Sequence, residues 1–404
     1  MKTFKKLASL WLVLSLLICM CMSVQAVTVS SECDISDLEI PIDATVTDAA
    51  IGTQLDIKAK SAILMEVNTG RILYEMNSDE KLPPASITKI MSLLLVMEAI
   101  DSSKMSLEDV ISASEHACSM GGSQIWLEPG ESMTVDDLLK AAVIASANDA
   151  TVALGETVAG SEEGFVAMMN EKAANLGMVN THFANATGLD AEGHISSAHD
   201  VAIMSAELIK HNLIKNYSTV WMDTLRGGES ELVNTNKLVR FYEGTTGLKT
   251  GTTSGAGYCL SATAERHGLE LVAVIMSGDT SADRFNGAKK LLDYGFANYE
   301  YASIEPLLEQ TELDVKGGVA KKVKIVAEGN FDALLKKSET AAVSQQLNLN
   351  RELTAPVKKG DIVGTVDFYL NDEQIGQVNI IAAEGVDKMS LLTAFKWMLD
   401  GLFK

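Results

Sequence analysis

The order of strand-like and helix-like segments is the feature that most constrains how this chain folds. A block with helical periodicity, divided by glycine-rich or polar turns, extends from residue 107 to about residue 216. Segments with strand character lie on both sides of it, at residues 61–67, 71–75, 258–264 and 269–276. Strands that flank a helical insertion can pair in one sheet, so this order predicts an α/β domain over residues 56–300. We expect a cleft between the sheet and the helical part.

Residues 301–385 predict a second, smaller domain. Short β-like segments separated by polar turns cover residues 323–326, 352–357, 362–370 and 373–382. Several short strands with turn signals between them are typical of a small all-β domain, here a β-sandwich. This part contains no histidine and no grouping of catalytic side chains. We therefore expect the chemistry to lie in the first domain.

The last segment, residues 386–404, predicts an amphipathic helix. Large apolar side chains fall on one arc of a helical wheel, namely Leu391, Leu392, Phe395, Met398, Leu399, Leu402 and Phe403. The segment is too short and too charged to span a bilayer. We interpret it as an anchor that lies in a membrane surface, and the alternative is a helix that docks on the β-domain.

The N-terminus has the features of a processing segment. Basic residues in the first six positions precede an apolar run at residues 7–22, and Val24-Gln25-Ala26 is a small-x-small cleavage site. Residues 1–26 therefore predict a signal peptide, and the mature chain is expected outside the cytoplasm. Residues 27–55 carry six acidic and no basic side chains, which predicts a poorly ordered leader.

Charge and composition exclude several classes of protein. The 33 basic and 54 acidic residues give a net charge of −21, so the chain has no surplus of positive charge for nucleic acid phosphates. Three histidines, at positions 182, 194 and 199, lack a compact metal-ligand pattern, and we expect neither a metal nor a cofactor. The three cysteines that follow the signal peptide form no disulfide framework, and we place Cys259 in a core.

A serine and a lysine three residues apart form the first candidate catalytic pair. Ser86 and Lys89 lie in the sequence PASITK, directly before an apolar run at residues 90–100 that is typical of a buried helix. Side chains at positions i and i+3 share one helical face, so the amine of Lys89 can approach the hydroxyl of Ser86. A buried lysine with a lowered pKa can act as the base that makes a serine nucleophilic.

Two further motifs follow in an informative order. Ser146 and Asn148 supply S-x-N in the helical block, and Lys249 begins the sequence KTG on a predicted strand. The set S-x-x-K, S-x-N and K-T-G, in this order, is the signature of penicillin-recognising acyl-serine enzymes. Each residue alone has a structural interpretation, with Ser146 and Asn148 as helix C-caps and Lys249 as a solvating charge at a strand edge. The three motifs together favour the catalytic interpretation.

On these motifs the chain resembles the low-molecular-weight penicillin-binding proteins that act as serine-type D-alanyl-D-alanine carboxypeptidases. The resemblance is firm over about residues 56–300 and includes SAILM at 61–65, GGS at 121–123, NDA at 148–150, TGLD at 187–190, GH at 193–194, GLKTGTT at 247–253 and KKLL at 289–292. It implies a β-lactamase/transpeptidase-like fold, with an antiparallel sheet flanked by helices and a helical subdomain. A small all-β domain and a C-terminal amphipathic helix would follow.

The resemblance also implies a reaction. Such an enzyme removes the terminal D-alanine from peptidoglycan stem pentapeptides through an acyl-enzyme, which limits cross-linking, and β-lactam antibiotics inhibit it. Ser86 would be the nucleophile, Lys89 the base, and Ser146 the group that passes a proton to the leaving D-alanine. Asn148 and Lys249 would hold the geometry and keep Lys89 partly neutral.

The remaining residues implied by the resemblance bind the substrate. Thr250 and Arg284 would bind the terminal carboxylate, and the backbone N–H groups of Ser86 and Thr252 would form the oxyanion hole. Gly251 would leave room for the acyl group. Arg284 has a structural alternative, which is to cap the start of its helix.

Three other functions share parts of this pattern. A serine β-lactamase deacylates with a second carboxylate in an E-x-x-L-N segment, and residues 149–248 contain no such segment. A D,D-endopeptidase of the same fold would cleave cross-links, and the sequence leaves this alternative open. A penicillin-sequestering scaffold without activity would have no reason to retain Ser86, Lys89 and Lys249 together.

Overall fold

The computed structural model describes residues 55–350 and 352–402, so the predicted signal peptide and all of the predicted leader except Leu55 lie outside the described residues. The elements of the first domain are, in chain order, β1 (Ala59–Glu66), β2 (Ile72–Met76), a 3-10 turn (Ala85–Thr88), α1 (Lys89–Asp101), β3 (Val110–Ser112), α2 (Glu115–Cys118), β4 (Ser132–Thr134), α3 (Val135–Ile144), α4 (Asn148–Ala159), α5 (Glu162–Asn175), α6 (Ala198–Ile209), α7 (Asn212–Ser218), β5 (Met222–Leu225), a 3-10 turn (Arg226–Gly228), β6 (Ser230–Val233), α8 (Leu238–Phe241), β7 (Thr245–Thr253), β8 (Gly257–Arg266), β9 (Leu269–Gly278) and α9 (Ser281–Asn298).

Five of these strands form one antiparallel sheet in the order β2-β1-β9-β8-β7. Side chains of β1 alternate between two apolar cores, with Ile63 and Met65 in one and Ala62 and Leu64 in the other. Helices α1, α3, α4 and α6 build the first core, whereas α9 covers the opposite face of the sheet. Because helices cover both faces, the central strands are apolar almost throughout. The prediction of an antiparallel sheet flanked by helices, with a helical insertion, is confirmed.

The C-terminal part is an all-β domain, as predicted. Its strands are β10 (Tyr299–Ile304), β11 (Glu312–Lys316), β12 (Lys322–Ala327), β13 (Phe331–Lys336), β14 (Ser344–Leu349), β15 (Leu353–Thr354), β16 (Ile362–Leu370) and β17 (Glu373–Ala382). They form a six-stranded sheet in the order β14-β16-β17-β12-β11-β15 and a two-stranded sheet of β10 and β13. The strand predicted at 352–357 is only two residues long, because Pro356 has no N–H to continue the pairing.

The terminal helix begins later than the predicted boundary at residue 386. Val386 pairs with Val357 and is buried, and the N–H of Met389 donates to the carbonyl of Gly317. The helix α10 (Leu391–Leu402) follows this extended segment. Its side chains Leu391, Leu392, Phe395 and Met398 are exposed, which is contrary to the alternative that the helix docks on the β-domain. Within the described residues, no helix has the length and hydropathy needed to cross a membrane.

Candidate active site

Ser86 and Lys89 meet where a short 3-10 turn, Ala85–Thr88, leads into α1. We call this segment the serine turn. Lys89 is fully buried, and its Nζ lies 3.1 Å from Ser86 Oγ and 2.8 Å from the carbonyl oxygen of Thr187. Ser86 itself is half-buried, so its hydroxyl is accessible to a ligand. The approach of the two side chains expected from their spacing of three residues is therefore present.

Two buried lysines at this site have a lowered tendency to carry charge. The pKa of Lys89 lies well below its ordinary value. Burial is the largest cause and the nearby Lys249 is the second, whereas the Asp149 carboxylate raises this pKa. Burial, followed by the Arg284 guanidinium, lowers the pKa of Lys249 to about 7. Because Lys249 is 1% exposed, the alternative that it is a solvating charge at a strand edge is wrong. The arrangement supplies an amine that can accept a proton.

Ser146 and Asn148 lie in the sharp connection between α3 and α4. Ser146 has a φ of 64°, which turns the chain by a left-handed residue before Asn148 begins α4. Asn148 Nδ2 donates to the Gly121 carbonyl at 2.6 Å, and Asn148 N donates to the Ser123 carbonyl at 2.7 Å. Its Oδ1 is buried and has no hydrogen-bond partner among the described residues. Asn148 is therefore the start of a helix and not a C-cap, and its amide oxygen is available to a donor.

The K-T-G segment lies on β7, which is an edge strand of the sheet because only β8 pairs with it. A Cβ on Gly251 would lie 2.8 Å from the backbone N of Ser86, closer than real side chains approach. Only glycine thus lets β7 pack against the serine turn, and this adds a physical reason to the expected room for the acyl group. The Thr250 hydroxyl donates to Thr235 Oγ1 at 2.7 Å. The Thr252 hydroxyl donates to the Gly251 carbonyl at 2.8 Å.

Arg284 reaches from α9 to the same strand. Its Nη1 donates to Thr252 Oγ1 at 2.8 Å and to the Gly251 carbonyl at 3.1 Å. The N-cap of α9 is Thr280, whose side chain accepts from Asp283 N, so the alternative that Arg284 caps its helix is wrong. Arg284 is 9% exposed and contacts Thr252, whereas Thr250 contacts Thr235. The Arg284 guanidinium is therefore buried against β7.

The predicted site residues thus fall into three groups. Ser86, Lys89, Lys249 and Gly251 lie close together, Lys249 Nζ donates to the Thr250 carbonyl at 3.3 Å, and Thr252 pairs with Arg284. Ser146 and Asn148 have no hydrogen bond to any other predicted site residue within the described part of the chain. Their positions are held by backbone contacts of the turn that carries them.

Sequence reasoning missed three residues at the site. The Thr187 carbonyl accepts from Lys89, and the buried Asp149 carboxylate accepts from the backbone N–H groups of Ile125 and Leu127. Thr235 links the helix that leads into the S-x-N motif to the K-T-G motif. Its N–H donates to the carbonyl of Ile144, the last residue of α3, and its hydroxyl accepts from Thr250. A possible signal was the segment TGLD at 187–190, which the resemblance included without a role.

A cleft of about 520 Å³ opens beside the serine turn. Its lining includes Pro83, Ala85, Leu189, Asp190, Glu192 and Ser254. Asp190 also accepts from the Thr253 hydroxyl at 2.6 Å, so the loop that follows Thr187 is tied to the end of β7. The cleft is open to solvent, and its lining includes His194 and the neighbour of Ser86, Ala85, but none of the predicted site residues.

Comparisons with known proteins agree with this geometry. Residues 47–280 match the family model described as D-alanyl-D-alanine carboxypeptidase, and residues 305–388 match the C-terminal domain of penicillin-binding protein 5. The chain is similar to the D-alanyl-D-alanine carboxypeptidase DacF of Bacillus subtilis, with 42% identity over 85% of this chain and 90% of that protein.

Solved structures extend the similarity to the fold. Penicillin-binding protein 5 from Haemophilus influenzae has a TM-score of 0.67 and 31% identity, over 84% of this chain and all of that chain. Penicillin-binding protein D2 from Listeria monocytogenes, in an ampicillin-bound form, has a TM-score of 0.55 and 33% identity, over 60% of this chain and all of that chain. The chain described here belongs to the D-alanyl-D-alanine carboxypeptidase family.

Proposed function

We propose that this protein is a serine D-alanyl-D-alanine carboxypeptidase that removes the terminal D-alanine from peptidoglycan stem pentapeptides by acylation and deacylation of Ser86. One observation carries the proposal: the fully buried Lys89 amine lies 3.1 Å from the Ser86 hydroxyl, with a second buried amine, Lys249, nearby. A lysine whose pKa is lowered by burial and by a like charge is a suitable general base near neutral pH.

The acylation step follows from these positions. Neutral Lys89 accepts the hydroxyl proton of Ser86 while the serine oxygen bonds to the carbonyl carbon of the penultimate D-alanine. The N–H groups of Ser86 and Thr252 stabilise the negative oxygen that forms, an effect worth about 3 kcal/mol per donor in related sites. The carbon–nitrogen bond then breaks, Ser146 gives its hydroxyl proton to the nitrogen of the leaving D-alanine, and the proton held by Lys89 passes to Ser146, which leaves Lys89 neutral for the next step.

Deacylation completes the cycle. Water adds to the ester carbonyl, gives one proton to a base, and releases the shortened stem peptide with Ser86 restored as a hydroxyl. No carboxylate lies within hydrogen-bond distance of Ser86 or Lys89 in the described residues, so we assign the base role in this step to Lys89 as well. A β-lactam would acylate Ser86 in the same way and persist, because its leaving group remains attached.

The terminal carboxylate of the substrate would be bound at β7. Thr250 and Thr252 present hydroxyl groups there, and the Arg284 guanidinium hydrogen-bonds Thr252 Oγ1 from behind the strand. Arg284 would act through Thr252 and through its positive charge, which a buried position strengthens. Lys249 adds a second positive charge when it is protonated.

The mature protein would work outside the cytoplasm at a membrane surface. The exposed apolar side chains of α10, including Leu391, Leu392 and Phe395, suit burial in the interface of a bilayer. The all-β domain would then space the active site from the membrane. This attachment is independent of the catalytic proposal and has its own test below.

Two substrates test the catalytic proposal. The full-length mature protein is incubated with fluorescent penicillin and, separately, with a diacyl-Lys-D-Ala-D-Ala peptide. We expect stable labelling of wild type, no labelling of Ser86→Ala, and release of D-alanine from the peptide. Absence of label on wild type would refute the proposal. Rapid penicillin turnover without D-alanine release would indicate a β-lactamase.

A further inference from the structure

A buried histidine connects two parts of the active site that are far apart in sequence. His194 Nε2 lies 2.8 Å from Thr88 Oγ1, and the N–H of Ala184 donates to His194 Nδ1 at 2.9 Å. Because Nδ1 accepts, the proton of the neutral ring is on Nε2, and His194 donates to the Thr88 hydroxyl. Thr88 is the residue directly before Lys89 in the serine turn. One tautomer, with the proton on Nε2, thus forms both the hydrogen bond to Thr88 and the hydrogen bond from Ala184.

The environment of His194 keeps it in that neutral form. His194 is 3% exposed and Thr88 is 0% exposed. The pKa of His194 is lowered to about 4. Burial is the largest cause and the nearby His182 is the second, whereas Asp190 raises this pKa. The ring is thus a fixed donor and acceptor over the pH range in which such an enzyme works.

The loop that His194 holds, residues 184–194, also provides the carbonyl group on Lys89. Asn185 Oδ1 accepts from the N–H groups of Thr187 and Gly188, which winds the loop tightly. Lys89 Nζ donates to the Thr187 carbonyl at 2.8 Å, and Ser92 Oγ donates to the preceding carbonyl, that of Ala186, at 2.6 Å. The start of α1 and this loop therefore share a row of hydrogen bonds that begins with the Thr88–His194 pair.

The direction of the Lys89 amine depends on this row. A neutral amine has two N–H bonds and one lone pair, and the lone pair must face Ser86 Oγ to accept its proton. One N–H bound to the Thr187 carbonyl limits rotation of the amine and favours this orientation. If the loop moves away from the serine turn, the amine loses that constraint and water can reach it.

We propose that His194 is a positioning residue, which keeps the Thr187 carbonyl on Lys89 by tying the 184–194 loop to Thr88. The proposal rests on the proposed function, since it concerns the base of that reaction. His194 has hydrogen bonds to Thr88 and Ala184 and none to Ser86 or Lys89 in the described residues, so we assign its effect on the reaction to the position of Lys89.

Two substitutions distinguish the effect of the His194 hydrogen bonds from the effect of the volume of its ring. His194→Phe keeps an aromatic ring but removes both hydrogen bonds, whereas His194→Gln retains an N–H donor near the position of Nε2. The measurement is the second-order rate of acylation by fluorescent penicillin between pH 5.5 and 10, with the full-length mature protein. The rate should rise with pH because only neutral Lys89 accepts the Ser86 proton. The pH at which the rate rises depends on the pKa of Lys89, which Lys249 lowers and Asp149 raises.

We expect His194→Phe to acylate about 10- to 100-fold more slowly, as a small displacement of a catalytic group does. The acylation rate of this variant should begin to rise at a pH about one unit higher than in wild type. The reason is that water would relieve the desolvation that lowers the pKa of Lys89. His194→Gln should stay within about threefold of wild type with an unmoved profile. Thr88→Val should match His194→Phe, and the double variant should add little, because both remove the same bond.

His182→Gln is the matched control, because His182 lies at the same loop but is exposed and accepts no bond from the serine turn. It should acylate as wild type does. If His194→Phe unfolds, Thr88→Val tests the same bond from the other side. A folded His194→Phe with wild-type acylation would overturn the proposal, and so would a slower rate with an unmoved pH profile. Wild type that takes no penicillin would instead refute the proposed function.

Discussion

The two domains differ in what they bury. Among the described residues, fully or nearly buried charged side chains occur only in the first domain, namely Glu66, Lys89, Asp149, Asp200, Lys249 and Arg284. The core of the C-terminal domain consists of apolar side chains such as Val323, Val366 and Phe368. Burying a charge is unfavourable unless partners compensate for it, so such groups need a reason to be present.

The first domain has lost stability at the residues that carry the chemistry. Lys89 and Lys249 place two amines in one buried site, where a charge on either amine destabilises the folded chain, and this is what makes Lys89 a proton acceptor. Asp149, by contrast, is compensated by backbone N–H groups from the loop that also contacts Asn148. Among its described residues, the β-domain has no fully buried charged side chain, although one carboxylate oxygen of the half-buried Asp367 is out of contact with solvent.

The largest expected effect comes from removing the buried amine. Lys89→Met should lower the rate of acylation by about 10³- to 10⁴-fold, because it removes the general base. The free energy of unfolding should not fall, since an apolar side chain of similar length replaces a desolvated amine. Penicillin labelling kinetics and urea unfolding measure the two effects. Lys104→Met, at an exposed lysine, is the control and should change neither. A variant that labels normally would contradict the base assignment.

A glycine beside the serine turn should have the next largest effect. Gly188 has a φ of 89°, and a Cβ there would lie 1.9 Å from the Ala85 carbonyl oxygen. Gly188→Ala must displace the loop or the serine turn, and we expect acylation to slow by about 100-fold. Gly160 also has a positive φ, 84°, but a Cβ there would meet nothing within 4 Å.

The pair Gly188→Ala and Gly160→Ala therefore separates backbone strain from displacement of the site. Gly160→Ala should destabilise the fold by about 1 kcal/mol and leave acylation unchanged. Thermal unfolding and penicillin labelling of both variants make the comparison. Equal acylation rates in the two would show that close packing at Gly188 is not needed for catalysis.

Much of the fold could be predicted because buried segments have strong patterns. β8 and β9 are covered on both faces and appear as continuous apolar runs, and the predicted strands at 362–370 and 373–382 match β16 and β17. β14 was missed, since Ser344–Leu349 is polar and only half-buried on one face. The extended start of the tail was missed because Val386 pairs with a strand segment distant in sequence.

The site was predictable where a side chain carries the chemistry. Ser86, Lys89 and Lys249 stand in motifs whose residue types are uncommon together. Thr187 acts through a backbone carbonyl, which every residue type has, and His194 acts through a bond to a residue 106 positions away. Such contributions have no sequence pattern, and only the three-dimensional contacts reveal them.

The buried amine of Lys249 should have a smaller effect, which appears in the pH dependence of stability. The pKa of Lys249 is about 7 in the folded chain against an ordinary value of 10.5. Between these values the unfolded chain binds more protons at this group, so its contribution to the free energy of unfolding rises with pH. Below pH 7 the folded chain must hold a buried ammonium, and the full penalty is present.

Lys249→Met should therefore be more stable than wild type at pH 6, by on the order of 2 kcal/mol, with an advantage that shrinks towards pH 10. Urea unfolding at pH 6, 8 and 10 gives the slope. Lys322→Met, at an exposed lysine of the β-domain, is the matched control and should show no such trend. An advantage for Lys249→Met that does not change with pH would contradict the assignment of a neutral folded lysine.

The smallest catalytic effect is expected from removing the terminal helix. Truncation after Ser390 keeps the buried Val386 and the Met389 bond to Gly317, so the β-domain should remain intact. D-alanine release from a soluble peptide should be unchanged, since α10 contributes nothing to the active site. Sedimentation with phosphatidylethanolamine–phosphatidylglycerol vesicles should be lost.

The apolar face and not the charge should drive this binding, because the whole chain is acidic and anionic vesicles repel it. The double substitution of Leu392→Ser and Phe395→Ser should abolish sedimentation. Lys396→Ser, on the polar side of α10, is the control and should leave sedimentation largely intact. Added salt should not weaken the binding of wild type to vesicles. If the truncated chain still sediments, or if binding disappears in salt, the surface that meets the membrane lies elsewhere. The β-domain would then be the region to search, since no ligand has been assigned to it.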